Sequence, residues 1–259
     1  MKLKNTIIAF KRGIQLEFSG YFRYKFGFFS DVIVFSVFMA FFLFADTGIS
    51  LSERYNYDNY KALFLMGYIA WMFATSSISA SVNNISNELS RGTFYRKLNS
   101  KCYLPMLLLS QLIAEILIDA ILLIVLLLLA YFIWNIVIPV SLLGILAIII
   151  STAGMFGIGL IVGGLTLRFK RVGSITLLIQ LFLLFVTDTL PTNGTLLSIT
   201  QIIPLTICNE IIRSSVTGVL IMKQVYVLII LSIVWLIVGN LIFNFAVNNA
   251  KKKGNLLFY

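Results

Sequence analysis

The sequence predicts an all-α integral membrane protein with six transmembrane helices, and three observations support this fold class. The chain of 259 residues is 59% hydrophobic and only 12% charged, whereas a soluble domain has about 25% charged residues. Apolar runs long enough to cross about 30 Å of hydrocarbon recur along the whole chain, so a cleaved signal peptide does not explain them. Lys and Arg gather in the gaps between these runs.

Hydropathy places the six spans, and the spans divide the chain into three parts. The spans cover residues 27–46, 60–82, 106–133, 138–166, 173–190 and 221–246. The three parts are an N-terminal segment 1–26, a transmembrane domain 27–246 with a connecting segment 83–103, and a tail 247–259.

The positions of the cations predict the orientation. Sixteen of the 20 Lys and Arg residues lie in 1–26, 83–103, 168–172 and 251–253, and the other four lie in the alternate gaps. The positive-inside rule therefore places both termini and segment 83–103 in the cytoplasm. Because such clusters are attracted to anionic headgroups, the net charge of +10 indicates a membrane lipid partner rather than nucleic acid. The composition, poor in Gly and Ala and rich in Ile, Asn and Lys, favours a bacterial plasma membrane.

The segment before the first span predicts an amphipathic helix in the cytoplasmic interface. Apolar residues recur at steps of three and four, and polar residues take the opposite face. The apolar residues are Ile7, Phe10, Ile14, Phe18 and Tyr21, and the polar ones are Arg12, Ser19 and Arg23. The alternative is a disordered basic tail.

Three polar residues repeat every four positions near the cytoplasmic end of span three, so Gln111, Glu115 and Asp119 share one helical face. A carboxylate at mid-helix costs about 2.5–3.5 kcal/mol and usually faces a cavity or a partner. Two interpretations stay open: a polar stripe that lines a path or gate, or an interfacial face paired with Lys or Arg of the N-terminal helix. The same alternatives apply to Asp31 in span one, whereas we expect Asp188 at the outer surface.

Span four is rich in glycine, and Gly159 and Gly163 form a small-xxx-small pair. Such residues let helix backbones approach closely in lipid. We expect this face to pack against other helices of the same subunit.

The outer segment Pro191–Gly218 is apolar, is interrupted by Pro204, and carries Glu210 and Arg213 at helical spacing. A seventh crossing would move the C-terminal lysines outside, against the charge rule. We therefore expect two short re-entrant helices on the outer side, between spans five and six.

Segment 83–103 combines apolar residues at helical spacing with a glycine. Ile85 and Leu89 precede Gly92, and Phe94 and Leu98 follow it. This pattern predicts two short helical pieces joined at Gly92, with Thr93 as the N-cap of the second. A short element held between two spans is suited to transmit a movement of a soluble partner protein to both spans.

At these residues the chain resembles the permease subunits of type-2 ABC exporters. That family has a cytoplasmic Glu, then Gly-Thr, then basic and apolar residues between spans two and three. The matching coupling residues are Glu88, Arg91, Gly92, Thr93, Phe94 and Leu98, and the family's later outer segment is similar to Pro204, Glu210 and Arg213. One departure is that Asn99 and Ser100 stand where many relatives have a Pro, which leaves the end of the connecting helix open.

The resemblance implies a division of labour between chains. Two permeases, identical or related, would form the transmembrane unit, and a separate ABC ATPase subunit would dock on the segment around Glu88 and bind ATP and Mg. The sequence agrees, because it contains no G-x-x-x-x-G-K-[ST] segment for phosphate. It also has no His, so we expect no catalytic residue, no metal site and no bound cofactor in this chain.

The expected function is the permease subunit of an ATP-driven exporter for an amphipathic cargo such as a drug, an antimicrobial peptide or a lipid, hence a role in multidrug or peptide resistance. A polysaccharide or teichoic-acid exporter permease is the alternative within this class. In another class, an ATP-independent secondary transporter or channel would use Asp31, Glu115 and Asp119 as an ion path.

Overall fold

The computed structural model describes residues 2–23, 25–98, 104–139, 141–169, 172–218 and 222–252, and the regular structure of these residues is entirely helical. The predicted all-α fold is confirmed. The helices are α1 (Lys2–Arg23), α2 (Lys25–Phe44), α3 (Ile49–Tyr55), α4 (Tyr60–Ser90), α5 (Thr93–Leu98), α6 (Leu104–Trp134), α7 (Leu142–Phe169), α8 (Gly173–Val186), α9 (Gly194–Thr200), α10 (Pro204–Thr217) and α11 (Met222–Lys252).

Five of the described helices are long and apolar enough to cross a membrane, namely α2, α4, α6, α7 and α11. They coincide with predicted spans one, two, three, four and six. The chain is therefore a multi-pass membrane protein.

Predicted span five is shorter than expected, because α8 ends at Val186 and not at residue 190. Its 14 residues extend about 21 Å, less than the hydrocarbon thickness of about 30 Å. The helix ends where Asp188 takes a left-handed backbone conformation with φ 58°, a common way to stop a helix. Residues 187–189 are the polar Thr, Asp and Thr, and the predicted span wrongly extended across them to residue 190.

Helix α4 is the centre of the fold and is buried along nearly its whole length. It packs against α6, α7, α8 and α10. We call the end of the bundle at Ser90 the Glu88 end, and the end at Tyr60 the Arg213 end.

The first helical piece predicted around Ile85 and Leu89 is present, but it is not a separate helix, because α4 continues from span two to Ser90. Hydropathy falls after Val82, but residues 83–90 contain no Gly or Pro to stop a helix. Hydropathy therefore marked a change of solvent and not the end of the helix. Residues 99–103, the remainder of the predicted segment, and Cys102 with them, lie outside the described residues.

The glycine-rich face of α7 packs within the same chain, as predicted. Gly159 approaches Ile78 and Ser81 of α4, and Gly163 approaches Ile85. On another face of α7, Gly157 lies directly against Gly239 of α11, so that a Cβ on Gly239 would overlap the carbonyl oxygen of Gly157. Glycine thus sets the distance between α7 and its two neighbours.

The two short helices predicted after span five are present. Helices α9 and α10 meet at 118° across residues 201–203. Pro204 is in the first turn of α10, where its missing N–H costs nothing. Helix α10 is mostly buried and packs against α4, α7 and α11.

The predicted N-terminal helix is confirmed as α1, which packs against α6. Ile14, Phe18 and Tyr21 are half-buried, whereas Arg12 and Arg23 are exposed. The tail residues 253–259 lie outside the described residues.

The α7–α11 contact gives a stability prediction. Replacing Gly239 with Ala should lower the thermal unfolding midpoint, since the added methyl meets backbone that cannot shift cheaply. Gly27→Ala is the matched control, because nothing lies within 4 Å of its added Cβ and Ala favours a helix by about 1 kcal/mol over Gly. Unfolding of the detergent-solubilised variants checks this, and an unchanged or raised midpoint for Gly239→Ala would contradict the described packing.

Candidate functional site

A cavity of about 820 Å³ runs along one side of α4. Its wall is formed by side chains of α1, α2, α4, α6 and α8 and by the turn between α4 and α5. It reaches from Trp71 to Glu88 on α4, which are about 26 Å apart at 1.5 Å per residue. The cavity thus connects the Glu88 end of the bundle with the depth of the spanning helices.

The polar stripe of α6 faces this cavity. Gln111, Glu115 and Asp119 all line it, and so does Asp31 of α2. Gln111 and Asp119 are only 5% and 4% exposed, so these side chains are enclosed by protein. The sequence correctly predicted that they share a face, and the structure brings Asp31 to the same space.

The predicted pairing of this stripe with Lys or Arg of the N-terminal helix is wrong for the described side chains. The Gln111 amide donates to Glu17 Oε1 of α1 at 3.0 Å, and the Tyr21 hydroxyl donates to Asp31. The described arginines of α1, Arg12 and Arg23, are exposed. The amphipathic period that buries Tyr21 turns these cations away from α6.

Tyr21 is a hydrogen-bond donor throughout the physiological range. Burial raises the pKa of its phenol, and the neighbouring Asp31 carboxylate raises the pKa further. The phenol therefore keeps its proton and fixes the position of Asp31 across the α1–α2 junction.

Aromatic and amide groups form the deeper wall of the cavity. The Trp71 indole donates to the carbonyl oxygen of Gln180 at 3.0 Å, and its ring packs edge-on against Phe35. The Gln180 amide donates to the carbonyl oxygen of Thr75 at 3.2 Å and to the Ser79 hydroxyl. In this way α8 is tied to α4 by polar contacts at the depth of the spans.

The carboxylates are spread over the cavity wall. Among the described residues, no three His, Cys, Asp or Glu side chains come close enough together to hold a metal ion.

The turn after α4 is held by hydrogen bonds around Glu88. The Glu88 carboxylate forms an ion pair with Lys97 of α5, and the Thr93 hydroxyl donates to the Glu88 carbonyl oxygen at 3.2 Å. Gly92 has φ 65°, a conformation that favours glycine. Thr93 is the first residue of α5, so its predicted role as N-cap is wrong, and the hydroxyl instead closes the turn.

The apolar side of this turn is anchored in the bundle. Phe94 is buried with Ile85 and Leu89, and Leu98 packs at the edge of the same cluster. Their partners are Leu108 and Leu112 of α6, Phe156, Leu160 and Leu167 of α7, and Phe243, Val247 and Ala250 of α11. Arg91, Tyr95 and Arg96 remain exposed. Phe94 and Leu98 thus join α5 to a cluster that also contains side chains of three spanning helices besides α4.

A buried ion cluster lies at the Arg213 end. The Arg213 side chain is fully buried and donates to Asp188 Oδ2 at 2.8 Å, to the Leu63 carbonyl at 3.1 Å and to the Thr189 carbonyl at 3.2 Å. Arg54 of α3 donates to the other oxygen of Asp188 at 2.9 Å. One carboxylate thus joins α3, α10 and the end of α8.

The expected position of Asp188 at the surface is wrong, because Asp188 is only 2% exposed. Sequence reasoning also missed Arg54, and it placed Arg213 beside Glu210, which does not pair with it. Glu210 is half-buried beside a smaller cavity with Arg54 and Tyr55, and Pro204 is buried against Gly154 of α7. The available signal was that an arginine in an apolar segment requires a carboxylate, but the sequence alone does not choose between Glu210 and Asp188.

The sequence comparisons give one family. A protein-family model described as ABC-2 type transporter matches residues 4–217, which include both the turn after α4 and the buried ion cluster. No curated protein sequence matches the chain.

The ion cluster gives a second prediction. Asp188→Asn should destabilise the protein by about 3–5 kcal/mol, since it leaves two guanidinium groups facing one neutral amide and one of them is fully buried. Glu53→Gln, at an exposed carboxylate on α3, is the control and should change stability by less than about 0.5 kcal/mol. Denaturant titration in mixed micelles measures both, and equal stabilities would contradict the structural role of the cluster.

Proposed function

This chain belongs to the ABC-2 type transporter family, and we propose from this premise that it is the permease subunit of an ATP-driven exporter. ATP would be bound and hydrolysed with Mg by a separate ABC ATPase chain. The cargo would be amphipathic, such as a drug, an antimicrobial peptide or a lipid.

One observation carries this proposal: the turn after α4 is at the same time part of the cavity wall and part of the buried core. Glu88, Arg91 and Thr93 line the cavity, while the adjacent Phe94 is buried in a hydrophobic cluster to which α6, α7 and α11 also contribute side chains. A partner that pushes on α5 would therefore move the cavity wall and three spans together. This is the mechanical coupling that an external motor requires.

The distribution of charge supports a cytoplasmic position for the Glu88 end. Leu167 and Ala250 pack in the same cluster as Phe94, so the adjacent Arg168 and Lys251 lie at this end too. We propose on this basis that the positive-inside rule places α5 and both termini in the cytoplasm of a bacterial cell. The exposed Arg91, Tyr95 and Arg96 then offer a basic and aromatic surface to the ATPase.

A second permease, identical or related, would complete the transmembrane unit. Helices α2 and α8 each present several exposed apolar side chains, including Phe41 and Phe44 on α2 and Phe182 and Phe185 on α8. Such faces contact either lipid or another protein subunit. We propose that part of them faces the second permease.

A small cargo fits the cavity better than a polymer. Drug-sized ligands occupy pockets of about 300–1,000 Å³, and the cavity falls in this range at about 820 Å³. A polysaccharide or teichoic-acid exporter has no specific support here.

The proposal is tested by reconstitution with an ATPase. The permease and the ABC ATPase encoded next to it, or copurifying with it, should form a stable complex, and liposomes that contain both should move an amphipathic dye only with ATP. Dye transport without any ATPase would contradict the proposal and favour the secondary transporter or channel with Asp31, Glu115 and Asp119 as its path.

Glu88 provides a sharper test of coupling. Glu88→Gln removes the charge that holds Lys97, and a charged hydrogen bond is worth about 1.5–3 kcal/mol, or a factor of about ten or more. We expect transport per ATP hydrolysed to fall by about tenfold while the complex still forms. Glu53→Gln is the control, because Glu53 is an exposed carboxylate on α3 at the Arg213 end. Equal coupling in both variants would remove Glu88 from the mechanism.

A further inference from the structure

We propose that the cavity beside α4 binds an organic cation, and that the cargo of this permease is therefore a cationic amphiphile. The binding site is argued from the cavity alone. Its role in transport rests on the function proposed above.

The charges on the cavity wall are mainly negative. Its charged side chains are Glu17, Asp31, Glu88, Glu115, Asp119 and Arg91. Glu88 is already paired with Lys97, and Arg91 lies at the same end. The other four carboxylates have no Lys or Arg within ion-pair distance in the described part of the chain. A ligand that enters this space meets an uncompensated acidic wall.

Asp119 is the strongest indication that a ligand is expected. It lies on the cavity wall, is only 4% exposed, and its Oδ2 atom has no hydrogen-bond partner among the described residues. Leaving a buried carboxylate oxygen unpaired is costly, and a positive charge close by offsets that cost. The Asp119 carboxylate has a hydrogen bond with the Ser76 side chain, so its Oδ2 atom is the part that is left for a ligand.

The rest of the wall favours an organic cation over an inorganic one. Phe35, Phe38 and Trp71 line the cavity together with Leu122 and Leu181. Aromatic faces attract cations and also bury apolar groups. Glu115 and Asp119 are one helical turn apart, about 6 Å, so one elongated ligand could approach both.

Tetraphenylphosphonium and tetraphenylborate are a suitable pair of probes, because they have nearly the same shape and opposite charge. Radiolabelled tetraphenylphosphonium should bind saturably to the full chain in lipid nanodiscs, after subtraction of binding to empty nanodiscs. Radiolabelled tetraphenylborate, measured in a separate sample, should show no saturable binding. The double variant Glu115→Gln, Asp119→Asn should bind the cation at least about tenfold more weakly, as expected for the loss of two close charge pairs.

Two variants separate this effect from misfolding. Asp119→Glu keeps the charge and should retain binding, and Asp58→Asn removes an exposed carboxylate at the other end of the bundle and should bind like the wild type. The double variant is compared at equal thermal stability and gel-filtration profile. No saturable binding of the cation, equal saturable binding of the borate in its own sample, or undiminished cation binding by the folded double variant would each overturn the proposal.

The outcome is independent of the test for the ATPase. If the ATPase complex forms and drives transport but cation binding fails, only the cargo class is wrong. If the cation binds and its binding depends on the carboxylates, but no ATPase drives transport, the cavity is still a cation site and the proposed exporter function is wrong.

Discussion

The burial of α4 is the constraint on which the rest of this structure depends. The helix has 31 residues, is mostly buried, and packs against α6, α7, α8 and α10, with the cavity along one side. At one end its Leu63 carbonyl accepts a hydrogen bond from the buried Arg213, and at the other end Leu89 packs beside Phe94. We expect a helix held in this way to move as one rigid element. Displacement of either end of α4 would then move the whole part of the cavity wall that α4 forms.

The two ends of α4 are fixed by different physical interactions. At the Arg213 end, Asp188 neutralises two guanidinium groups and joins segments that are far apart in sequence, which resists movement because a separated buried pair is costly. At the Glu88 end, the described contacts include an apolar cluster, the Glu88–Lys97 ion pair and the hydrogen bond from Thr93, and an apolar cluster can repack at lower cost than a buried ion pair can separate. This asymmetry suits a protein in which the Glu88 end receives the force and the Arg213 end stays closed until the force arrives.

The sequence predicted what depends on composition and period, and missed what depends on three-dimensional contacts. Long apolar runs and clustered cations sufficed for five spans, for α1 and for the α9–α10 break, and the spacing of Gln111, Glu115 and Asp119 placed them on one face. The end of span five was wrong, and the helical piece predicted after span two is continuous with α4, since helices stop at backbone geometry such as the positive φ of Gly92 and Asp188. The Asp188–Arg213–Arg54 cluster joins residues up to 159 positions apart, from Arg54 to Arg213, and no local pattern reports such a contact. The same amphipathic period that predicted α1 also puts its described arginines on the side that faces away from α6. The sequence does not give that result by itself, because it does not show that α1 packs against α6.

The central claim is that force applied at α5 reshapes the cavity beside α4. Its most direct measurement is the reactivity of a single cysteine in the cavity wall, introduced as Ser79→Cys in a chain whose Cys102 and Cys208 are replaced by Ser. The variant is reconstituted with its ATPase, and a membrane-impermeant maleimide is applied with and without a non-hydrolysable ATP analogue. The account predicts that binding of the analogue changes the labelling rate severalfold at this position and leaves a Ser50→Cys control on α3 unchanged. An identical labelling rate in both states, with the ATPase complex intact, would contradict it.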